Sequence, residues 1–230
     1  MGTLVSYDRT DSVATITMDD GKVNALSPQL LAEINLALDQ AAADRAVVVL
    51  AGRPGVFSAG FDLTLLRGGG AAAFAMVRAG FELAERVLSF PAPVLAACTG
   101  HAIAMGAFLL LSADYRVGAD GPYKFTANEV AIGLTIPQAA IEICRQRLTP
   151  AHLTRTILLA EVFAPQDAVA AGFLDRVVPP AGLAAAANSV AAQLATLDLA
   201  AHATSKLAAR ADTLRAIRAA IDTDFSATAA

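Results

Sequence analysis

Two glycine-centred turns are the segments of this chain best suited to chemistry. The first is GVFSAGFDL, residues 55–63, and the second is TGHAIAMGAF, residues 99–108. Each follows an apolar, strand-like run and can leave backbone N–H groups unpaired at the start of a helix. Two such sets of donors aimed at one point would polarise a carbonyl oxygen and stabilise an oxyanion. One turn alone is better explained by tight packing, so the prediction depends on the pair.

A single carboxylate, Glu129, follows the second turn and completes a possible acid–base site. Its neighbours Val130, Ala131 and Ile132 are apolar, so desolvation is expected to raise its pKa and make it a competent proton shuttle. Outside this context the same residue would be read as a carboxylate favoured by a helix N-terminus. Beside two donor turns, we interpret it as the catalytic group.

The elements that must position these groups alternate between strands and helices. A hairpin is predicted over residues 5–18, and Ser27-Pro28 opens a helix to about residue 43. Further strands and helices follow in alternation to residue 178, and an alanine-rich helical region begins at residue 180. The further strands are predicted at 46–51, 94–98, 114–117, 123–125 and 175–178, and the further helices at 70–90, 104–113, 138–147, 150–160 and 165–171. This order predicts an α/β fold with parallel strands and right-handed crossovers.

Composition excludes several classes of function. The 230 residues are 56% hydrophobic and 17% charged with a net charge of −4, so no global field attracts nucleic acid. The apolar excess fits a subunit interface, and an alanine bias from a GC-rich genome explains it equally well. The N-terminus has no signal-peptide pattern and no apolar run is long enough to span a membrane. With two isolated cysteines, Cys98 and Cys144, the sequence predicts a cytoplasmic protein.

Several motifs in order resemble the crotonase (enoyl-CoA hydratase/isomerase) superfamily over nearly the whole chain. They are KVNAL (22–26), FSAGFDL (57–63), the turn at 100–108 with ADYR (113–116), NEVAIG (128–133) and AAGFLDRVV (170–178). The resemblance implies a spiral of ββα units, as in the ClpP/crotonase fold, with a C-terminal helical lobe. It divides the chain into a core with an acyl-CoA site, 1–178, and a trimerisation lobe, 179–230. It also implies a homotrimer or hexamer and an acyl-coenzyme A thioester substrate.

The resemblance assigns roles to individual positions. The oxyanion hole would be formed by the backbone N–H groups of Phe61 and Met105. The family usually has glycine where Met105 stands; only the N–H is needed there, and the Met side chain is expected to narrow the acyl pocket. Further substrate contacts are implied at Lys22, Ala25, Leu26, Ala59, Gly60, Asp62, Gly106, Phe108 and Lys206. Lys22, Ala25 and Leu26 would line the nucleotide site and Lys206 would approach the 3′-phosphate, although a solvated surface role suits each lysine equally.

The number of carboxylates separates the reactions that this family carries out. Hydratases that resemble this chain have two glutamates, and the first of these positions is Phe108 here. Hydration needs a held water and two proton transfers, whereas moving a double bond from the 3- to the 2-position needs one base. The motif pattern is therefore closest to single-glutamate enoyl-CoA isomerases. A one-glutamate hydratase of fatty-acid β-oxidation and a non-catalytic acyl-CoA-binding protein remain as alternatives.

The remaining polar candidates are interpreted as structural. Asp62 is expected to cap the helix after the first turn, and His101 to be packed or interfacial. Asp114 and Arg116 resemble a structural pair at a helix end, while His152 and His202 have no catalytic context. The sequence contains no metal-ligand cluster and no dinucleotide fingerprint. No cofactor is therefore expected, because coenzyme A is part of the substrate.

Overall fold

Strands and helices alternate through residues 2–225, the part of the chain that the computed structural model describes. The strands are β1 (Val5–Thr10), β2 (Val13–Met18), β3 (Val47–Ala51), β4 (Gly55–Ser58), β5 (Val94–Cys98), β6 (Gly100–Ile103), β7 (Tyr115–Ala119), β8 (Phe125–Thr126) and β9 (Arg176–Val178). The helices are α1 (Pro28–Ala43), α2 (Leu63–Gly68), α3 (Gly70–Ser89), α4 (Met105–Ser112), α5 (Gln138–Arg145), α6 (Pro150–Ile157), α7 (Pro165–Ala171), α8 (Leu183–Leu194), α9 (Leu199–Ala209) and α10 (Ala211–Asp224). Short 3₁₀ turns occupy Val130–Ile132 and Pro180–Gly182.

Six strands form the main sheet in the order β1-β2-β3-β5-β7-β9. The β1–β2 hairpin is antiparallel, and the later pairs are parallel. β5 is buried along its whole length and β3 along most of it, as expected for strands covered by helices on both faces. The predicted α/β fold with a mostly parallel sheet is confirmed.

A second, three-stranded sheet contains two strands, β4 and β6, in segments predicted as turns, together with β8, which overlaps the strand predicted at 123–125. Strands β4, β6 and β8 pair in parallel in that order. The turn interpretation was incomplete because β4 and β6 have four residues each and begin with glycine, which is too little for a periodic signal. A Cβ at Gly100 would lie 2.0 Å from the backbone of Gly55. Glycine therefore permits the close approach of these two strands.

Helices cover both faces of the main sheet. The larger apolar cluster unites β2, β3 and β5 with α1, α3, α4, α5 and the α10 residues Ile217 and Ile221. On the opposite face, α8 packs Leu183, Ala187 and Ala191 against the sheet. The C-terminal helices thus pack onto the core. A domain boundary at residue 178 and a trimerisation role for 179–230 stay predictions, and residues 226–230 of that predicted lobe lie outside the described chain.

Helix α2 was not predicted from the sequence, although its cap was. The Asp62 carboxylate accepts hydrogen bonds from the backbone N–H groups of Thr64, at 2.8 Å, and Leu65, at 3.2 Å. These bonds satisfy two of the donors that a helix start leaves unpaired. The expectation that Asp62 caps the helix after the first turn is confirmed.

A buried ion cluster around Asp114 attaches α9 to the core. Its carboxylate binds Lys206 Nζ at 2.7 Å and Arg210 Nη1 at 2.9 Å, and it accepts the Val94 N–H at 2.7 Å. The predicted pairing of Asp114 with Arg116 is wrong, because Arg116 binds Asp175 at 2.7 Å instead. Both true pairings join residues far apart in the sequence, so local spacing could not reveal them.

The Asp114→Ala variant should lose stability, because Lys206 and Arg210 would keep buried charges without their counter-charge. Removing one partner from a buried ion cluster typically costs ~3–5 kcal/mol in the free energy of unfolding. Urea denaturation of the variant and the wild type measures this difference. Asp212→Ala is the control, since Asp212 forms an exposed pair with Arg215 and should leave the free energy of unfolding nearly unchanged. Equal losses in the two variants would contradict the role given to Asp114.

Within residues 2–225, no individual helix combines the length and apolarity required to cross a membrane. The segments Pro180–Leu194 and Leu199–Ala209 meet that requirement only as a pair, with a 99° bend between them.

Candidate active site

The two glycine turns are in direct contact. Gly60 has a φ of +90°, and a Cβ at this position would lie 3.0 Å from the Ala104 Cβ and 3.4 Å from the Met105 backbone nitrogen. Gly106 lies on the other side of the same contact, where a Cβ would approach the Ser58 carbonyl oxygen to 2.2 Å. Glycine at 60 and 106 therefore lets the two turns meet backbone to backbone.

Both proposed donors are available at this contact. Met105 is the first residue of α4, and Ala104 precedes it with a φ of +51°, a conformation that alanine rarely adopts. The Ala104 N–H donates to the Thr126 carbonyl at 2.9 Å, which fixes this strained residue. Among residues 2–225, the N–H groups of Phe61 and Met105 have no backbone or side-chain acceptor. Free donors beside a helix N-terminus are suited to an oxyanion.

Glu129 lies at the N-terminal side of the 3₁₀ turn Val130–Ile132, with 9% of its surface exposed. Within the described chain, its Oε2 atom is buried without a hydrogen-bond partner. Burial raises the pKa of the carboxyl group above its ordinary value. The carboxylate is close enough to Cys144 of α5 that its charge, added to burial, raises the pKa of that thiol. Glu129 is thus a desolvated carboxyl group with an unused oxygen.

An aromatic cluster takes the place where a second acid is expected. Phe108 is 2% exposed and stacks on Phe81 of α3 with 6.2 Å between ring centroids. Phe81 also meets the ring of Phe61 edge-on at 6.4 Å and stacks on Phe225 at 5.5 Å. The Phe61 ring lies directly against Gly80, where a Cβ would approach it to 2.4 Å. These four rings provide an apolar wall around the residue that carries the first donor.

A groove of about 470 Å³ outside the first turn carries positive charge. Its wall includes Lys22 and Ala59, as the resemblance implied, together with Arg53, His101 and Lys124. Arg53 is partly neutralised by Asp19 at 3.0 Å and donates to the Lys22 carbonyl at 2.7 Å. Neither Arg53 nor Lys124 was predicted from the sequence, because each is an isolated basic residue beside a motif.

The other implied contact residues divide between backbone and structural roles. Leu26 is fully buried and uses its N–H to bind the Gly60 carbonyl at 2.8 Å, while Ala25 is half-buried beside it. His101 is packed edge-on against Tyr123 and accepts the Lys124 N–H at 3.0 Å, which agrees with its structural interpretation. The His101 and Tyr123 side chains take no part in the contact between the two turns at Gly60 and Gly106.

Lys206 does not lie at the groove. It is 7% exposed, binds Asp114, and also donates to the Ala92 carbonyl at 3.3 Å. Burial lowers the pKa of its ammonium group despite the neighbouring carboxylate. An ammonium held in this way contradicts both the phosphate contact and the solvated surface role expected from the sequence. Asp114 lies 92 positions from Lys206 in the sequence, so this ion pair could not be predicted from the helix that carries the lysine.

The described residues contain no group of three or more His, Cys, Asp or Glu side chains that could hold a metal ion. For chemistry, these residues offer two unused backbone N–H groups, at Phe61 and Met105, and the desolvated carboxyl group of Glu129. Such a site can stabilise an enolate while one group moves a proton.

Known proteins share this fold. A family model described as enoyl-CoA hydratase/isomerase matches residues 8–228. The apo structure of an enoyl-CoA isomerase from Mycobacterium tuberculosis superposes with a TM-score of 0.94 at 50% identity, covering 99% of this chain and 100% of that one. Human mitochondrial enoyl-CoA delta isomerase 1 is 32% identical over 83% of this chain and 65% of its own length. A probable enoyl-CoA hydratase of Mycobacterium avium is 32% identical over 75% of this chain and 68% of its own length.

The chain belongs to the enoyl-CoA hydratase/isomerase family, which confirms the crotonase resemblance. It spans about two thirds of the length of the curated relatives it matches. Those relatives include proteins named isomerases and proteins named hydratases, so the choice between the reactions depends on the residues of the site.

The Gly60→Ala variant should lower kcat for enoyl-CoA turnover by about a hundredfold, since a Cβ would push the two donors apart and a 1 Å displacement has effects of this size. Steady-state kinetics with enoyl-CoA measures it. Gly21→Ala is the control, because Gly21 also has a positive φ, +76°, with open space around its Cβ position. It should lose stability but keep its kcat. A similar loss of kcat in both variants would mean that backbone strain, not the contact, is responsible.

Proposed function

We propose that this protein is an enoyl-CoA isomerase that converts a 3-enoyl-CoA to the 2-enoyl-CoA. The proposal rests on the buried Glu129, whose Oε2 has no hydrogen-bond partner within the described chain. Phe108 stands where the hydratases that resemble this chain have a second glutamate. One base and two oxyanion donors are what a shift of a double bond requires.

The proposed reaction is two proton transfers through one intermediate. Glu129 as carboxylate removes a proton from C2 of the thioester, and the electron pair delocalises into a dienolate. The thioester oxygen then carries the negative charge, which the Phe61 and Met105 N–H groups stabilise. The protonated Glu129 returns a proton to C4, so the double bond lies between C2 and C3 and the carboxylate is regenerated.

Hydration is the second candidate, because relatives named hydratases are also similar to this chain. Adding water to a 2-enoyl-CoA requires a positioned water that loses one proton while C2 gains another. Phe108 can neither accept nor donate a proton, and it lies in an aromatic wall with Phe81. Glu129 would have to orient the water and serve both transfers alone. These features favour isomerisation.

The groove lined by Lys22, Arg53 and Lys124 supports a coenzyme A thioester as the substrate. Its ammonium and guanidinium groups suit the phosphates of coenzyme A, and Ala59 of the first turn reaches its wall. The phosphate end would therefore lie on one side of the first turn and the acyl end on the aromatic side. This assignment replaces the contact expected from Lys206, and the reaction requires no separate cofactor.

The predicted assembly into a trimer or hexamer draws support from exposed apolar side chains near the base. Val130, Ile132 and Leu134 follow Glu129 with exposures of 45%, 55% and 46%, and Leu158 and Leu159 at the end of α6 are exposed too. Surfaces of this kind are typical of subunit contacts. Light scattering of the purified protein measures the assembly, and a monomer would contradict it. A cytoplasmic location stays a prediction.

The test of the reaction offers 3-enoyl-CoA and 2-enoyl-CoA separately to the purified protein in heavy water. Isomerisation moves the double bond with no mass of added water, and any exchanged deuterium appears at C4. Hydration adds the mass of heavy water, and binding without either change supports a non-catalytic acyl-CoA-binding protein. We expect the first result, and water addition as the faster reaction would contradict the proposal.

Glu129→Gln should abolish isomerisation, by at least about a hundredfold in kcat, while the dissociation constant for an acyl-CoA stays close to that of the wild type. Its melting temperature at neutral pH should not fall, because the substitution removes a desolvated charge. Kinetics, calorimetric binding and thermal denaturation give the three values. Glu161→Gln is the control, since Glu161 forms a surface pair with Arg155. Retained turnover in Glu129→Gln would overturn the assignment of the base.

The pH profile should report the environment of Glu129. The base acts only when ionised, so activity is present above its pKa and is lost as the pH falls through it. Burial raises that pKa from the ordinary 4.5, so the acidic limb of kcat/KM should lie above pH 4.5. A limb at or below that value would show that the acting carboxyl is exposed to solvent in the free enzyme.

A further inference from the structure

We propose that Ser58 is a positioning residue that holds both oxyanion donors in place through its hydroxyl group and its backbone. The inference rests on the proposed function, because it concerns the donors assigned to Phe61 and Met105. Ser58 is the last residue of β4 and is fully buried. It lies two positions before Gly60 in the sequence and is in direct contact with Gly106, the two glycines that let the turns meet.

The Ser58 hydroxyl uses both of its hydrogen-bonding functions. Its Oγ donates to the Asn24 carbonyl at 2.8 Å and accepts the Gly60 N–H at 3.2 Å. A buried hydroxyl that is satisfied as donor and acceptor fixes both groups that it joins. The residue therefore ties the first turn to the KVNAL segment at residues 22–26.

The hydrogen bonds made by the N–H and the carbonyl of Gly60 determine where the Phe61 N–H points. The Gly60 carbonyl accepts the Leu26 N–H at 2.8 Å. In a planar trans peptide, the N–H of the next residue points opposite to that carbonyl, so the Phe61 N–H is directed away from Leu26. With the Gly60 N–H held by Ser58, the peptides on both sides of Gly60 are fixed. The left-handed φ of Gly60 is thereby fixed as well.

The same residue locates the second donor through direct contact. A Cβ at Gly106 would lie 2.2 Å from the Ser58 carbonyl oxygen and 2.8 Å from the Ser58 Cβ. The first turn of α4 is therefore seated on Ser58, and Met105 is part of that turn. A shift of Ser58 would displace both donors relative to each other.

The Asn24 side chain holds in place the Asn24 carbonyl, which accepts the hydrogen bond from the Ser58 hydroxyl. It is fully buried with a φ of +51°, and its Nδ2 donates to the carbonyl oxygens of Met18 at 3.0 Å and Phe57 at 3.1 Å. Its side-chain oxygen accepts the Asp20 N–H at 3.0 Å. The Asn24 carbonyl is thus part of a rigid network, and Ser58 is the side chain that transmits this rigidity to the oxyanion hole.

Replacing Ser58 should reduce catalysis more than binding. Preorganised donors lower the barrier because they stabilise charge that develops only in the transition state. A donor that is present but poorly aimed still admits the substrate. A fall in kcat with little change in KM is therefore the signature of lost positioning.

The test compares Ser58→Ala with Ser112→Ala. Ser112 is a second fully buried serine, and its hydroxyl donates to the Phe108 carbonyl at 2.9 Å within α4. We expect kcat to fall by about tenfold or more in Ser58→Ala, with KM within about twofold of the wild type, and to be unchanged in Ser112→Ala. Ser58→Cys keeps a weaker donor at the same place and should fall between serine and alanine. Should Ser58→Ala fail to fold, Ser58→Cys retaining the full kcat would overturn the proposal.

A second measurement does not depend on turnover. A 3-ketoacyl-CoA forms an enolate that absorbs in the near ultraviolet, and an oxyanion hole should lower the pH at which the bound ligand ionises. The wild type should show this shift, and Ser58→Ala should lose part of it. Unchanged ionisation and kcat in Ser58→Ala, with an active wild type, would overturn the role of Ser58 alone. A wild type that ionises the bound ligand but moves no double bond would overturn the proposed isomerase activity and leave the role of Ser58 standing.

Discussion

The close approach of two backbone turns, without side chains between them, is the constraint on which the site depends. Gly60 and Gly106 each occupy a position where a Cβ would meet the opposite turn at 3.4 Å or less. This approach follows from the parallel pairing of β4 with β6, which brings the two segments side by side. The second sheet is small, yet it brings into contact two turns whose Phe61 and Met105 positions are more than 40 residues apart in the sequence. The larger sheet and its helices support that pairing.

The electrostatics of the site follow from what surrounds this contact. Glu129 is desolvated, and the aromatic wall of Phe61, Phe81 and Phe108 provides no acceptor or donor side chain of its own. Burying an unpartnered carboxylate opposes folding, so the rest of the structure must compensate for it. Burial of the continuous apolar core provides that compensation.

Much of this fold could be predicted from the sequence because its main strands are long apolar runs. β3 and β5 lie within one residue of the predicted ranges. Strands β4 and β6 and helix α2 were missed, since their sequences GVFS, GHAI and LTLLRG are not the continuous apolar runs that β3 and β5 are. Glu129 and the two glycine turns were singled out from motifs, and their assigned roles stay predictions to which the structure adds the burial and contacts that motifs cannot give. Lys206 was misassigned because its role depends on Asp114, a contact that only the tertiary fold creates.

A site with one carboxylate places a greater demand on its backbone donors than a site with two. Where two acids share a reaction, one of them can also hold water and orient the substrate. In the proposed isomerase Phe108 removes that possibility, so the orientation of a thioester would depend on the Phe61 and Met105 N–H groups and on the groove lined by Lys22. A backbone donor cannot adjust as a side chain can, and its aim is set by the peptides before it. The hydrogen bonds that Gly60 accepts from Leu26 and donates to Ser58 then matter for chemistry as well as for folding, because they fix the peptides on both sides of Gly60, one of which carries the Phe61 N–H.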